Sequence, residues 1–355
     1  MRIKKKYINI INYSILGLIS FSFNLWVSNR GVFPIDTFLH YDSAYKILNN
    51  EIPIRDFWII HGLALDYIQS IFFKLFGTNW ISYIVHSSII NCIITLIIFN
   101  FFKKLELDNF FSFTLSLAFA ILAYPVSGVP FVDHHSSILS LSCIIFFYFG
   151  ILKNNYNYFF FIPILFGIAF LSKPVPAIYI AFIFTIVFTI YFFKEKNFKP
   201  FIFLIIGSIF LFALFYIFLI IEKIPINLFL EQIIYYPMSA GENRFENIQH
   251  ALKVRIFNFK FILFFIFYIG FILFLKKKTI KIKKHNLYMI IFIFLFTFSM
   301  IFHQLMTKNQ NFIFFTIPLM AALAIFVNIR ANLEYKKLIN LIFIFITVIL
   351  TIKYN

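Results

Sequence analysis

The 355 residues are 62% hydrophobic and only 13% charged, with a mean hydropathy of +0.91. That composition excludes a water-soluble domain, whose surface could not bury so much apolar material, and marks an integral membrane protein. The formal charge of +17 does not call for nucleic acid, because its distribution along the chain has a membrane explanation.

In chain order, apolar runs of spanning or near-spanning length occur at about 8–28, 80–102, 110–126, 136–152, 158–172, 175–193, 200–221, 259–275, 287–302, 311–327 and 338–352. No barrel-like alternation accompanies them, so these runs are expected to be helices, the only other way to satisfy every backbone group in lipid. The expected fold class is all-α: a single polytopic domain over 1–355 with about eleven transmembrane helices. The N-terminal "MRIKKK" resembles a signal n-region, but the run after it is long enough to span and no small-residue cleavage site follows, so we expect a retained first helix. Cys92 and Cys143 both fall inside apolar runs and imply no disulfide framework.

Alternating the runs from an inside N-terminus gives a test of orientation. The inside connections then hold 19 of the 31 Lys and Arg residues and four of the 14 acids, against 12 and ten on the other side. The bias follows the positive-inside rule. It places the N-terminus in the cytoplasm, and every unusual polar cluster on the opposite face. Those clusters are the first external loop at 29–79, "SGVPFVDHHSS", "LSKPVPA", the loop near 222–258 and "FHQLMTKNQNF". Five clusters on one face suggest a single site at a membrane surface. His86 is the main ionisable residue inside a run, and the scarcity of others argues against an ion-coupled transporter.

Within the first loop, "DSAYKILNN" has the pattern of a short interfacial helix with Asp42 at or near its N-cap. "ALDYIQSIFFKLFG" reads as a second amphipathic helix ending at Gly77.

The stretch "DSAYKILNNEIPIRDFWIIHG", with "FKLFG" just before the second run, resembles the first external loop of polytopic GT-C glycosyltransferases. It is most similar to the bacterial branch that includes lipopolysaccharide core, aminoarabinose and protein O-mannosyl transferases. "GIAFLSKPVPA" and "TKNQNFIFFTIPLMAALA" are similar to later motifs of that group, and "VDHH" to the Asp-x-His form of some oligosaccharyltransferase catalytic subunits. The absence of a large domain after the last run argues against an oligosaccharyltransferase itself. Ser43 stands where many members carry a second acid, and "HGL" where "HGP" is common.

The resemblance implies transfer of a sugar from a polyprenyl-phosphate donor to a lipid-linked glycan or protein acceptor outside the cytoplasm, in the bacterial inner membrane, with the loop acid falling on Asp42. Such a transfer needs a base or activator for the acceptor hydroxyl and cations for the departing phosphate. Asp42 suits the first role, by inverting displacement, and Lys173, Arg244 and Lys308 suit the second. Asp56, His61, His303 and Asn309 are candidates for the substrate pocket.

Each assignment has a rival. Asp42 is either the activator or an N-cap. Asp133 with His134 and His135 either caps a helix or, together with Asp42, offers a ligand set (Asp42, Asp133, His135) for Mg or Mn. Other function classes are a transporter or flippase, and a polymerase or ligase of lipid-linked glycans.

Overall fold

The structure is a computed structural model that describes residues 2–31, 34–239, 268–272, 282–307, 312–331 and 335–354. Among these residues it is built of helices and turns, without a β-strand. Helix α1 (Arg2–Ser28) leads into two shorter helices, α2 (Pro34–Leu48) and α3 (Ala64–Phe76). The long helices α4 (Trp80–Lys104), α5 (Asn109–Leu122) and α6 (Val132–Lys153) follow, a short 3-10 turn at Tyr124–Val126 prolonging α5. Next come α7 (Asn157–Ser172), α8 (Pro174–Glu195), α9 (Lys199–Ile221) and the small α10 (Ile226–Leu230), which runs into a π-helical turn at Glu231–Tyr235. Helices α11 (Lys284–Thr307), α12 (Thr316–Arg330) and α13 (Lys336–Tyr354) complete the described bundle.

Eight of the described helices are long and apolar enough to cross a membrane; α7 and α12 are apolar but shorter. Helix α12 has an evident reason to be short. Its side chains from Thr316 to Asn328 are all buried, so it is surrounded by protein and need not match the lipid thickness. Ala321, Ala322 and Ala324 let its neighbours approach closely. Helix α9 is the opposite case: only 11% of its spanning window is buried, and its mean hydropathy there is 2.9. It faces lipid, and glycines fit it against α7, where a Cβ on Gly207 would meet the Phe160 carbonyl oxygen at 2.2 Å.

Between α1 and α4 the packing is polar. Asn24 Nδ2 donates to the hydroxyls of Ser87 and Ser88, each at 2.9 Å, and Asn91 Nδ2 donates to Ser20 Oγ at 2.9 Å. Such bonds join helices where hydrophobic burial gives no preference over lipid.

The two ends of the bundle differ chemically. One end gathers the cationic turns, where Arg330 pairs with Glu106 at 2.7 Å and Lys284 with Glu195 at 3.2 Å. The other end carries α2, α3 and the 51–63 loop. Gly77 (φ 82°) ends α3 by donating its N–H to Phe73 O at 2.8 Å. Asn79 then caps α4 with reciprocal bonds to Ser82, which turns the chain from the surface into the bundle within three residues.

The first loop differs from the sequence expectation at its start. Helix α2 begins at Pro34, two turns before Asp42. Proline is preorganised for the first position of a helix, and Asp36 supplies the acid of the first turn. Asp42 is therefore in mid-helix and caps nothing.

Candidate active site

The loop end of the bundle encloses a cavity of about 440 Å³. Asp36, Leu39 and His40 of α2 line one side, with Ile60 and His61 of the loop. Asp133 at the start of α6, Lys173 at the α7–α8 corner and His303 near the end of α11 line another, and Tyr236 and Pro237 lie at the edge. Six separate segments thus meet at one place.

Asp133 organises one wall. It stands in the first turn of α6 and is buried, with Lys173 Nζ donating to Oδ2 at 2.6 Å and His303 Nε2 to Oδ1 at 2.7 Å. Lys173 is the single residue between α7 and α8; its own carbonyl accepts from Ser136 Oγ at 2.9 Å, which ties the corner to α6. An ammonium has three protons and Asp133 takes one. The quarter-exposed Lys173 side chain therefore retains donors for a ligand in the cavity.

Behind the α2 side lies a second buried carboxylate. Asp66 on α3 accepts from His40 Nδ1 at 3.0 Å and from His61 Nε2 at 2.8 Å. A carboxylate only accepts, so His40 carries its proton on Nδ1 and His61 on Nε2. Burial pushes His40 below the usual imidazole range, reinforced by the neighbouring His61. Burial by itself would raise Asp66, but the two imidazoles outweigh it and hold the carboxyl below its ordinary value.

A third group fills the interior. With Gln69 Oε1 accepting from His86 Nδ1 at 2.9 Å, His86 Nε2 accepts from His135 Nε2 at 3.0 Å, and His135 Nδ1 accepts from the Tyr124 hydroxyl at 2.7 Å. His134 bonds Ser127 Oγ at 3.0 Å. All three imidazoles are core residues of the bundle, and His86 and His135 are engaged with each other.

The loop that roofs the cavity is held from outside. Gln232, in the π-helical turn, accepts from Ile59 N–H and donates to Ile54 O, both at 3.0 Å. Arg55 donates to Glu222 O at 2.8 Å, and Ile54, Ile59 and Leu63 pack on Leu219, Ile224, Phe229 and Ile233. Gly62 N–H donates to Ser172 O at 3.1 Å, beside Lys173. A Cβ at Gly62 would stand 1.8 Å from Leu171 O, so only glycine permits this approach.

The sequence candidates divide clearly. Lys173, Asp133, His61 and His303 line the cavity together. Asp42 does not: its side chain is 60% exposed and pairs with Lys46 one turn along the same helix, at 3.0 Å. Residues six apart on a helix point to widely different sides, so Asp42 faces away where Asp36 faces in. Asp56 is also outside the cavity; it accepts from Arg55 and from Ile52 N–H, which hold its carboxyl down to about 2. Arg244, Lys308 and Asn309 lie outside the described residues.

The expected ligand set of Asp42, Asp133 and His135 is not assembled. Asp42 is on the outer surface, both oxygens of Asp133 are taken by donors, and both nitrogens of His135 are engaged in the core. A Mg or Mn ion does not fit these three residues. What the sequence reading missed was Asp36, which Pro34 at the helix start could have revealed, and the His40–Asp66 pair.

Beside the cavity, sharing Tyr179 with it, runs a shallow apolar groove of Ile178, Phe182, Ile183, Phe298 and Phe302, between α8 and α11. Residues 60–221 match the family model described as dolichyl-phosphate-mannose-protein mannosyltransferase. The match takes in His61, Asp133 and Lys173 and supports a membrane glycosyltransferase of the GT-C superfamily. No curated protein and no solved structure matches the chain significantly.

Proposed function

We propose that this GT-C glycosyltransferase moves a hexose from a polyprenyl-phosphate carrier to an acceptor hydroxyl on the non-cytoplasmic face of the membrane, with Asp36 as the activating acid. The observation that carries this reading is the cavity itself. It sets one carboxylate, Asp36, on the α2 side and an ammonium held by Asp133 on the other, with an apolar groove alongside. A polyprenyl phosphate has the matching parts: an anion for Lys173, and an isoprenoid chain for the groove between α8 and α11.

In this reading Asp36 accepts the proton of the acceptor hydroxyl, or orients it, as that oxygen attacks the anomeric carbon. The bond from that carbon to the phosphate oxygen breaks on the opposite side, and the polyprenyl phosphate leaves with its charge met by Lys173. A single displacement of this kind inverts the anomeric centre. Asp133 touches neither reactant; it holds Lys173 and is itself held by His303.

A transporter is a weaker reading, since α12 at the bundle centre is apolar from Ile317 to Val327. A ligase of lipid-linked glycans would use the same chemistry with a longer donor. The test is transfer of labelled mannose from polyprenyl-phosphate-mannose to endogenous acceptors in membrane vesicles. Transfer that is lost in Asp36→Asn, at normal membrane levels of the protein, supports the proposal. Full transfer in that variant removes Asp36 from the mechanism.

A further inference from the structure

We propose that His40, His61 and Asp66 form a binding site for one divalent transition-metal ion of the zinc class, on the α2 side of the cavity. One ligand atom from each residue lies within 4.8 Å of the others, and all three residues are buried. Zinc bound at about 2.0–2.1 Å in a tetrahedron spaces its ligand atoms roughly 3.4 Å apart. The nitrogen-to-oxygen separations, 3.0 Å from His40 Nδ1 and 2.8 Å from His61 Nε2, lie close to that spacing, and the three ligand atoms as a set stay within 4.8 Å, so the side chains must draw together around the ion. The rings of His40 and His61 stand at 81° with centroids 4.3 Å apart, so each presents an edge nitrogen to the same carboxylate without stacking on the other.

Charge points the same way. Asp66 is wholly buried, and among the described residues its ion partners are these two imidazoles, with no Lys or Arg paired to it. A buried carboxylate is costly unless its charge is balanced, and a dication would supply that balance. Two imidazoles with one carboxylate form a borderline donor set, which suits Zn, Co or Fe better than Mg or Ca.

The location gives the ion a task. His40 and His61 line the cavity while Asp66 lies behind them, so a fourth coordination position would face the substrate. Its three ligands join α2, the 51–63 loop and α3, and His40 is one helical turn after Asp36. The ion would fix the surface helix that presents this acid. The metal site does not depend on the transfer reaction and is tested without it.

The full-length protein, purified in detergent without a histidine tag, is stripped with chelator and titrated with Co(II) alone. We expect visible d–d absorption of a four- or five-coordinate site that saturates near one ion per chain, displaced by zinc. Zinc retained after gel filtration should fall at least about tenfold in His61→Gln and in Asp66→Asn, but not in Asp42→Ala. Failure of the unaltered protein to develop the Co(II) spectrum overturns the proposal, as does undiminished zinc in both variants. Because the spectrum is read on the unaltered chain, a variant that folds poorly does not obscure the result.

Discussion

Asp36 and Asp42 lie on one helix and differ in what they face, which makes them the sharpest residue-scale comparison. Asp36→Asn should lower transfer at least ~100-fold, whereas Asp42→Asn, which loses only an exposed ion pair worth at most ~1 kcal/mol, should stay within a factor of two; initial rates in vesicles measure both. The Lys173–Asp133 pair makes a second prediction. Lys173→Met leaves a buried carboxylate with one donor and should cost about 3 kcal/mol, the low end for a broken buried pair because Lys173 is partly exposed. Asp133→Leu combined with Lys173→Met should recover most of the melting temperature in detergent and none of the transfer. As cavity-lining residues, Lys173, Asp133 and His303 were legible in the sequence because each stands out as polar at an outer helix end, and His61 because it falls in the long first external loop. Asp66 was not. A single acid in "ALDYIQS" reads as the wet side of an amphipathic helix, and only the folding back of His40 and His61 turns that side into an interior.

At the scale of elements, the long helices were legible from their hydropathy, while the start of α2 was not. Asp42 satisfies the local rule for an N-cap, yet Pro34 begins the helix sooner, and the stripe Thr37, His40, Ala44 is what α2 buries. The fit of the 51–63 loop against the α7–α8 corner was equally hidden, since it depends on one missing side chain. Gly62→Ala places a methyl group 1.8 Å from Leu171 O and must push the loop off the corner. We expect transfer to fall at least ~100-fold and proteolysis within residues 51–63 to quicken, with melting temperature much less affected because the main core around α12 is untouched. Equal protease patterns in the variant and the parent would contradict this account of the loop.

For the whole molecule, the charge asymmetry of the sequence predicts one topology, which labelling tests: the cationic end in the cytoplasm, the cavity outside. In a cysteine-free background, a cysteine at Asn49 should react with an impermeant maleimide on intact cells, and one at Lys196 only after lysis. The reverse pattern would invert the assignment. The described helices differ in reach as well as in burial. At 1.5 Å per residue, α9 extends for about 34 Å and its partner α7 for about 24 Å, on either side of a typical hydrocarbon thickness of about 30 Å. Lipid meets α9 on most of its surface, and the end of α9 bears Leu219 and the Glu222 carbonyl that hold the cavity's roof. A thinner bilayer must tilt this helix, and the tilt carries the anchor of the 51–63 loop with it. Membrane thickness thus becomes a setting of the enzyme: reconstituted in a series of phosphatidylcholines of rising acyl length, transfer should pass through a maximum, and Gln232→Leu, which loosens the roof from that anchor, should flatten it.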